Sequence, residues 1–311
     1  MLSVGLSRRY PLRNDLYHLT TRNMSIDIQR HLLYEDNQLF VVNKPSGLLV
    51  QAPDNNVIGT TTNTSPILNL LDAVKHYLQI THHKPRAWVG LVHRLDRPTS
   101  GVIVFAKTSK AASRLSSSFR TRACCKVYLC VVEGRLMQPG RCDNWLSKGE
   151  VGGQPVQVKD ELSLSLSSST EGSLGDSRYV KGVLSYRPLV HFAPPLPTYV
   201  ASSPRGADMG TGSTTGGIDV HTICRIELET GRKHQIRAQM AHMGHPVVGD
   251  VKYGASQSFK QRDIALHAYM LTIAHPVTGI DMTFTAPPPA LWSKRFGAES
   301  LVAAFDTMNN D

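Results

Sequence analysis

The chain has 311 residues, enough for one large domain or two smaller ones with a substantial core. Its 34 Lys and Arg against 24 Asp and Glu give a net charge of +10, which fits either a nucleic-acid partner or a merely basic surface. No apolar run is long enough to span a bilayer, which argues against an integral membrane protein. The five cysteines lack paired C-x-x-C spacing, which argues against a zinc ribbon or a secreted disulfide scaffold and favours a reducing compartment.

Residues 1–25 form a basic leader, with four arginines against one acidic residue, Asp15. This composition resembles a mitochondrial transit peptide. The alternative is a disordered basic arm, and the protein is then expected in the cytoplasm or nucleus. Met24 is a candidate internal start that would give a form without the leader.

Patterning typical of a globular domain covers residues 26–290. Leu39–Val42 predicts a strand that ends in a Pro-Gly turn, where Lys44 either contacts a phosphate or is solvated. Ser65 is expected to cap a core-facing helix, because a proline follows it and apolar residues recur at helical spacing. Ser109 is expected to cap a second helix through about residue 120, whose exposed charges are all basic.

The second half of the chain predicts more strands, at residues 126–132, 179–190, 220–228 and 264–271, with a closing strand near 283–286. The strands at 179–190 and 220–228 are expected to form a hairpin with an enlarged tip. Residues 160–178 and 193–219 are rich in Ser, Thr, Gly and Pro, which predicts flexible insertions. Pro287–Pro289 is expected to end the domain, and residues 291–311 to form a tail that is a short helix or disordered.

A charged loop at residues 92–101 lies between two apolar runs that predict strands, 88–92 and 102–106. Asp96 stands there between Arg94 and Arg97, whose positive charges favour its ionised form. A carboxylate held ionised on a loop is suited to act as a nucleophile. The alternative is a structural cluster in which both arginines pair with the aspartate and pin the turn.

A basic segment follows Thr230, which is expected to cap a helix that ends at Gly244. Arg232, Lys233 and Arg237 lie near the start of this helix, where free backbone amides also favour an anion. Three histidines follow in the same stretch: His234, His242 and His245. They lack the i, i+4 pair of a helical zinc site and an acidic ligand, so no metal site is expected.

Five ordered motifs resemble those of the RluA-type family of pseudouridine synthases. They are Val42–Leu48, His93–Asp96 with Thr99–Gly101, Lys126-x-Tyr128, Thr230–Arg237 with the later Gly-His-Pro and Gly-Asp pairs, and Leu266–Ala268 with His275-Pro276. The resemblance extends from about residue 26 to 289. Between residues 160 and 219 it covers only the hairpin strands.

The resemblance implies an α/β fold of the α+β type, with a mixed, largely antiparallel, bent central sheet and helices and loops around an RNA cleft. It implies an isomerase that converts specific uridines of tRNA or rRNA to pseudouridine, acts as a monomer, and needs neither metal nor cofactor. Asp96 is then the catalytic nucleophile on an extruded uridine, Tyr128 stacks on the base and removes a proton, and Arg237 pairs with Asp96. The residues expected to contact RNA are Arg94, His93, Arg232, Lys233 and Lys126.

Two other classes of protein are compatible with parts of the sequence. A silent RNA-binding protein could keep the fold, although the joint presence of Asp96, Tyr128 and Arg237 argues against it. A glycosidic hydrolase would need a second carboxylate to activate water, and none stands out beside Asp96. One departure from the family is Gln239, which stands where a histidine is frequent; its amide is still expected to donate a hydrogen bond.

Overall fold

The computed structural model describes residues 26–53, 68–83, 85–150, 154–163, 178–193, 220–259 and 263–309. The strands are β1 Leu32–Glu35, β2 Leu39–Lys44, β3 Gly90–Leu91, β4 Ser100–Ala106, β5 Cys125–Glu133, β6 Gly140–Ser147, β7 Val158–Lys159, β8 Tyr179–Phe192, β9 His221–Leu228, β10 Leu266–Ala274 and β11 Asp281–Thr285. The helices are α1 Ile28–His31, α2 Leu70–Thr81, α3 Ser109–Arg120, α4 Gln235–His242, α5 Ala290–Phe296 and α6 Ala298–Asn309. The predicted leader and most of the two predicted insertions lie outside the described residues.

The strands form one sheet in the order β1-β2-β4-β10-β5-β9-β8-β6-β7, with β3 beside β4 and β11 beside β10. The β4–β10 pairing is parallel, and the other pairings between the named strands are antiparallel. This confirms the prediction of a mixed, largely antiparallel sheet. The predicted hairpin is also present, as β8 paired with β9.

The centre of the sheet is covered on both faces. β4 is buried at every position, because Ile103 and Phe105 pack in a cluster with α2 while Val102 and Val104 pack in a cluster with α3. A strand buried on both faces is expected to be a continuous apolar run, as residues 102–106 are. β4 therefore gives the loop that precedes it a rigid base.

The helices begin at residues that the sequence did not identify as caps. The cap of α2 is Asn69, whose side chain accepts a hydrogen bond from the backbone of Asp72, and the predicted cap, Ser65, lies outside the described residues. The cap of α3 is Thr108, one residue before the predicted Ser109. Each helix begins where a short polar side chain accepts from the free amide three residues ahead.

The C-terminal residues pack on the core. Trp292, Phe296 and Leu301 of α5 and α6 are buried in the same hydrophobic cluster as strands β5 and β9. The chain therefore continues past Pro289 into two helices that cover the sheet, and the tail predicted from residue 291 is part of the same packed unit. None of the helices in the described ranges is long and apolar enough to cross a membrane.

Candidate active site

The loop that carries Asp96 connects β3 to β4 and is held against the turn after β2. Arg97 Nε donates to the carbonyl of Gly47 at 2.9 Å, and the backbone amide of Gly47 donates to the Arg97 carbonyl at the same distance. Gly47 has a φ of +81°, a region in which residues with a Cβ are strained. Arg97 is thus a structural residue of the loop, and the predicted cluster in which both neighbouring arginines pair with Asp96 is wrong.

Lys44 lies beneath this loop and is fully buried. Its Nζ donates to the carbonyls of Pro45, Leu48 and Arg97 at 3.0, 2.7 and 3.1 Å. Burial lowers the pKa of Lys44 to about 7, against the attraction of Asp96 and a second nearby carboxylate. Both predictions for this side chain, phosphate contact and solvation, are therefore wrong. Its Nζ ties the turn after β2 to the loop that carries Asp96.

The cation beside Asp96 comes from α4. Arg237 Nη1 donates to Asp96 Oδ2 at 3.2 Å, while its Nε and Nη2 donate to the two carboxylate oxygens of Asp250 at 2.6 and 2.9 Å. Asp250 is almost fully buried, so this bidentate pair fixes the guanidinium plane. Within the described ranges, Asp96 Oδ1 accepts no hydrogen bond. The pairing of Arg237 thus leaves one oxygen of Asp96, a side chain that lines the cleft, without a donor among the described residues.

Tyr128 lines the same cleft from β5, where it pairs across the sheet with Ala268 on one side and Ile226 on the other. Burial raises the pKa of Tyr128, and the charge of Asp96 raises it further. The phenol is therefore protonated at neutral pH in the empty site. The ring lies between two hydrophobic clusters, which fixes the wall that faces Asp96.

Arg94 and His93 occupy different environments although they are adjacent. Arg94 is exposed at the mouth of the cleft, and no ion pair holds it within the described part of the chain. The His93 ring stacks on Phe119 at 4.5 Å, and its Nε2 accepts from the backbone amide of Val104 at 3.0 Å. Because Nε2 accepts the bond from Val104, it carries no proton and the His93 ring is neutral. The same bond joins the loop to β4.

The other three residues expected to contact RNA lie around the start of α4. Arg232 is exposed, with its Nε donating to the Lys181 carbonyl at 3.0 Å, and Lys233 pairs with Glu150 at 3.2 Å. Lys126 is half-buried on β5, and a Cβ built on Gly231 would lie 3.9 Å from its Nζ. Of the three, Arg232 lines the cleft, and Lys126 lies near Gly231, which lines it as well.

The helix itself starts later than expected. α4 begins at Gln235, and Thr230 instead donates its hydroxyl to the Gln235 side chain and accepts from the backbone of Val183. The predicted cap at Thr230 is therefore wrong, whereas the predicted stop is confirmed, since Gly244 has a φ of +83°. Gln239 donates to Asn144 and to a backbone carbonyl, as expected for the residue that replaces the family's histidine.

The three histidines of this segment do not come together. His234 faces Asp96, His242 pairs with Asp160, and His245 bonds the carbonyl of Glu133. Across the described ranges, no group of three or more His, Cys, Asp or Glu side chains is arranged to hold a metal ion. Each histidine instead has its own local partner.

Comparison with known proteins assigns the family. The sequence model described as RNA pseudouridylate synthase matches residues 38–242. The chain belongs to this family. It is 33% identical over 276 residues to ribosomal large subunit pseudouridine synthase D of Escherichia coli K12, covering 85% of this chain and 68% of that protein. It is 31% identical over 281 residues to the protein of the same name from Pseudomonas aeruginosa, covering 86% and 71%.

Two solved human structures share the fold. RNA Pseudouridylate Synthase Domain Containing 4 aligns with a TM-score of 0.59 at 19% identity, covering 91% of this chain and 94% of the other. RNA Pseudouridylate Synthase Domain Containing 1 aligns with a TM-score of 0.53 at 21% identity, covering 85% of each. The protein is therefore an RNA pseudouridine synthase, an enzyme that isomerises uridine in RNA.

Asp250, Tyr253 and His234 are site residues whose roles the sequence did not suggest. The local sequence around Asp250 and Tyr253 indicated no site, and His234 was considered only as a metal ligand. The Arg237 guanidinium lies over the Tyr253 ring at 4.9 Å as well as against Asp250. The Gly-Asp pair in the resemblance was the one available signal, since it marked Asp250 without indicating its partner.

Proposed function

We propose that this enzyme converts specific uridines of ribosomal RNA to pseudouridine with Asp96 as the nucleophile. The observation that carries the proposal is the asymmetric pairing of Asp96, a side chain that lines the cleft: Arg237 donates to Oδ2, and no described group donates to Oδ1. A nucleophile must be ionised and also free to attack, and this arrangement meets both needs. The choice of ribosomal RNA is supported by the names of the bacterial relatives; transfer RNA is the other outcome of the tests below.

The proposed reaction balances without an added reactant. Asp96 attacks an extruded uridine, the bond between N1 and the ribose breaks, and the freed uracil turns so that C5 faces the sugar. A new bond forms from C5 to the ribose carbon as Asp96 departs. One proton leaves C5 and one is gained at N1, so no water, metal or electron carrier is consumed.

Tyr128 is proposed to stack on the target base and to take the C5 proton. Since burial keeps its phenol protonated, the oxygen can accept that proton only as its own hydroxyl proton is passed on. The ring position, on a strand wall facing Asp96, supports the stacking role. Tyr128→Phe is therefore expected to keep RNA affinity and to reduce the single-turnover rate much more strongly.

The RNA backbone is proposed to run along the basic border of the cleft. Arg94 is exposed at its mouth and is suited to fill the gap left by the extruded nucleotide, while Arg232, Lys233 and Lys126 are placed to meet phosphates. His93 is less suited to this role, because its ring is engaged with Phe119 and its Nε2 with the β4 backbone.

The competing hydrolase needs a second carboxylate to activate water. Asp250 is the carboxylate that shares Arg237 with Asp96, and both of its oxygens are bound by that guanidinium. A carboxylate held in this way on a buried arginine is a poor base. The geometry therefore favours isomerisation by Asp96 alone.

The deciding variant is Asp96→Asn, which keeps the shape of the side chain and removes the nucleophile. It should bind RNA with near wild-type affinity and form no pseudouridine in a single-turnover assay. Activity retained on the true RNA would remove Asp96 from this role.

Pseudouridine mapping with and without the protein, in total and organellar RNA, identifies the substrate and also tests the mitochondrial leader. Light scattering tests the expected monomer.

A further inference from the structure

His234 lies immediately before α4 in an unusual backbone conformation, with φ 52° and ψ 21°. This left-handed region costs a residue with a Cβ about 1–2 kcal/mol, and such strain tends to persist where the surrounding contacts enforce it. Its side chain is 12% exposed and lines the cleft that contains Asp96. Its Nε2 lies 3.8 Å from Asp96 Oδ2, the same oxygen that Arg237 contacts.

A chain of hydrogen bonds determines which nitrogen of His234 carries the proton. The backbone amide of Val156 donates to the Tyr253 hydroxyl at 3.0 Å. The Tyr253 hydroxyl lies 2.9 Å from His234 Nδ1, and because its oxygen already accepts from Val156 we assign its hydrogen to the bond with that nitrogen. Nδ1 is then the acceptor, and in the neutral ring the proton is on Nε2. This places an N–H donor on the side of the ring that faces Asp96.

We propose that His234 is a positioning residue for Asp96. The Nε2–H of His234 acts together with Arg237 on Asp96 Oδ2, so that Asp96 Oδ1 is the oxygen that attacks the uridine. The proposal rests on the nucleophilic role proposed for Asp96. A separation of 3.8 Å is longer than a hydrogen bond, and such contacts commonly shorten when the substrate closes the site. Once both groups donate to Oδ2, the carboxylate cannot rotate, and Oδ1 is left as its stronger nucleophile.

The charges around His234 favour its neutral form. Burial lowers the pKa of His234, Asp96 raises it, and Arg237, Lys233 and Lys252 lower it. Glu150 lies 4.0 Å from Nδ1 but is itself bound by both lysines. Protonation would put a hydrogen on Nδ1 and break the bond from Tyr253. The positioning of Asp96 by His234 should therefore be lost in acid, at pH values below the ordinary pKa of histidine.

Two substitutions of His234 separate the contacts of its two nitrogens. In His234→Gln the amide nitrogen can take the position of Nε2 and still donate to Asp96, but it cannot titrate. In His234→Asn the amide reaches only the position of Nδ1, so Tyr253 keeps a partner and Asp96 loses one. Asparagine also tolerates the left-handed backbone, which favours a folded variant. His242→Gln, at the exposed end of α4, is the matched control.

Single-turnover rates and RNA affinities are measured between pH 5 and 8. We expect His234→Asn to react about tenfold more slowly, the loss of one hydrogen bond to a charged group, with unchanged RNA affinity. His234→Gln should keep most of the rate at neutral pH and lose less of it than the wild type as the pH falls. His242→Gln should match the wild type throughout.

The proposal is overturned if His234→Asn keeps the wild-type rate and pH profile, or if His234→Gln is as slow as His234→Asn. If His234→Asn does not fold, Tyr253→Phe carries the test, because it removes the donor that fixes the tautomer and should also slow the reaction. Asp96→Asn is assayed in parallel. An active Asp96→Asn protein contradicts the proposed function itself, whereas an inactive one leaves the His234 variants to decide the positioning role.

Discussion

Arg237→Lys should separate the two functions of the guanidinium, because lysine keeps the charge but cannot reach two carboxylates at once. Arg237 makes three hydrogen bonds, two to buried Asp250 and one to Asp96. The lysine is expected to stay with Asp250, since leaving that carboxylate buried and unpaired is the more costly alternative. One hydrogen bond to Asp250 and the one to Asp96 are then lost.

The size of both effects follows from the value of a hydrogen bond to a charged group, about 1.5–3 kcal/mol. The lost bond to Asp250 should lower the free energy of unfolding by about that amount, measured by urea denaturation. The lost bond to Asp96 should slow the single-turnover rate by about 10- to 100-fold, since 1.4 kcal/mol corresponds to a factor of ten. RNA affinity should change little, because Arg237 is almost fully buried.

The control for this substitution is Arg141→Lys, at an exposed pair with Glu229, where the same change should affect neither rate nor stability measurably. A folded Arg237→Lys protein with the wild-type rate would refute the reasoning, because Asp96 would then need no orienting guanidinium. If the lysine moved to Asp96 instead, the rate would be kept while stability fell by more than expected, because Asp250 would be left buried and unpaired.

Three further predictions concern the scaffold. Lys44→Met should lower the free energy of unfolding by about 2–4 kcal/mol, because three backbone carbonyls lose their donor; equal urea midpoints would contradict this. Gly101→Ala should unfold at a clearly lower temperature, since its Cβ would lie 2.2 Å from the Ala268 carbonyl oxygen at a φ of +115°; an unchanged melting temperature would show that β4 and β10 can separate. His267 has its pKa lowered by burial from 6.5 to about 4, so the unfolded state binds the extra proton first and stability falls as the pH drops between those values, by about 3 kcal/mol in total. His267→Gln should flatten that part of the curve.

The sequence predicted much of the sheet, since the buried strands are strongly apolar. β2, β4, β5 and β10 all coincide with runs of apolar residues, and the cap of α3 lies one residue before the expected one. Strands β1, β6 and β7 were not predicted. β3 keeps only Gly90–Leu91 of the predicted run, because pairing with β4 ends where the catalytic loop turns away.

The electrostatic argument for Asp96 pointed to its neighbours along the chain, but among the described residues neither Arg94 nor Arg97 pairs with it. In a strand or helix, sequence spacing fixes side-chain directions, but an irregular loop has no such period. Arg97 turns to a carbonyl of another segment, and Arg94 turns to solvent. The cation that Asp96 does contact lies 141 residues away along the chain, and only the resemblance to a family could suggest it.

Asp250 could not be found from residue patterns either. It is 13 residues beyond Arg237, across a helix end and a turn, and its role depends on Gly249, which has a φ of +89° and packs closely against Phe259. A Cβ at Gly249 would lie 2.8 Å from the Asp263 carbonyl oxygen. The turn that brings Asp250 to Arg237 is therefore determined by tertiary packing, which cannot be predicted from the local sequence.

The loop around Asp96 assigns its structural and reactive contacts to different atoms. Lys44 Nζ and the Gly47 amide both donate to the Arg97 carbonyl, and Arg97 Nε donates to the Gly47 carbonyl, while the Asp96 carboxylate is held at Oδ2 alone. A loop fixed through its backbone does not need its aspartate for stability. Asp96 can therefore keep Oδ1 uncommitted, and a change such as Asp96→Asn should abolish the chemistry while leaving the loop in place.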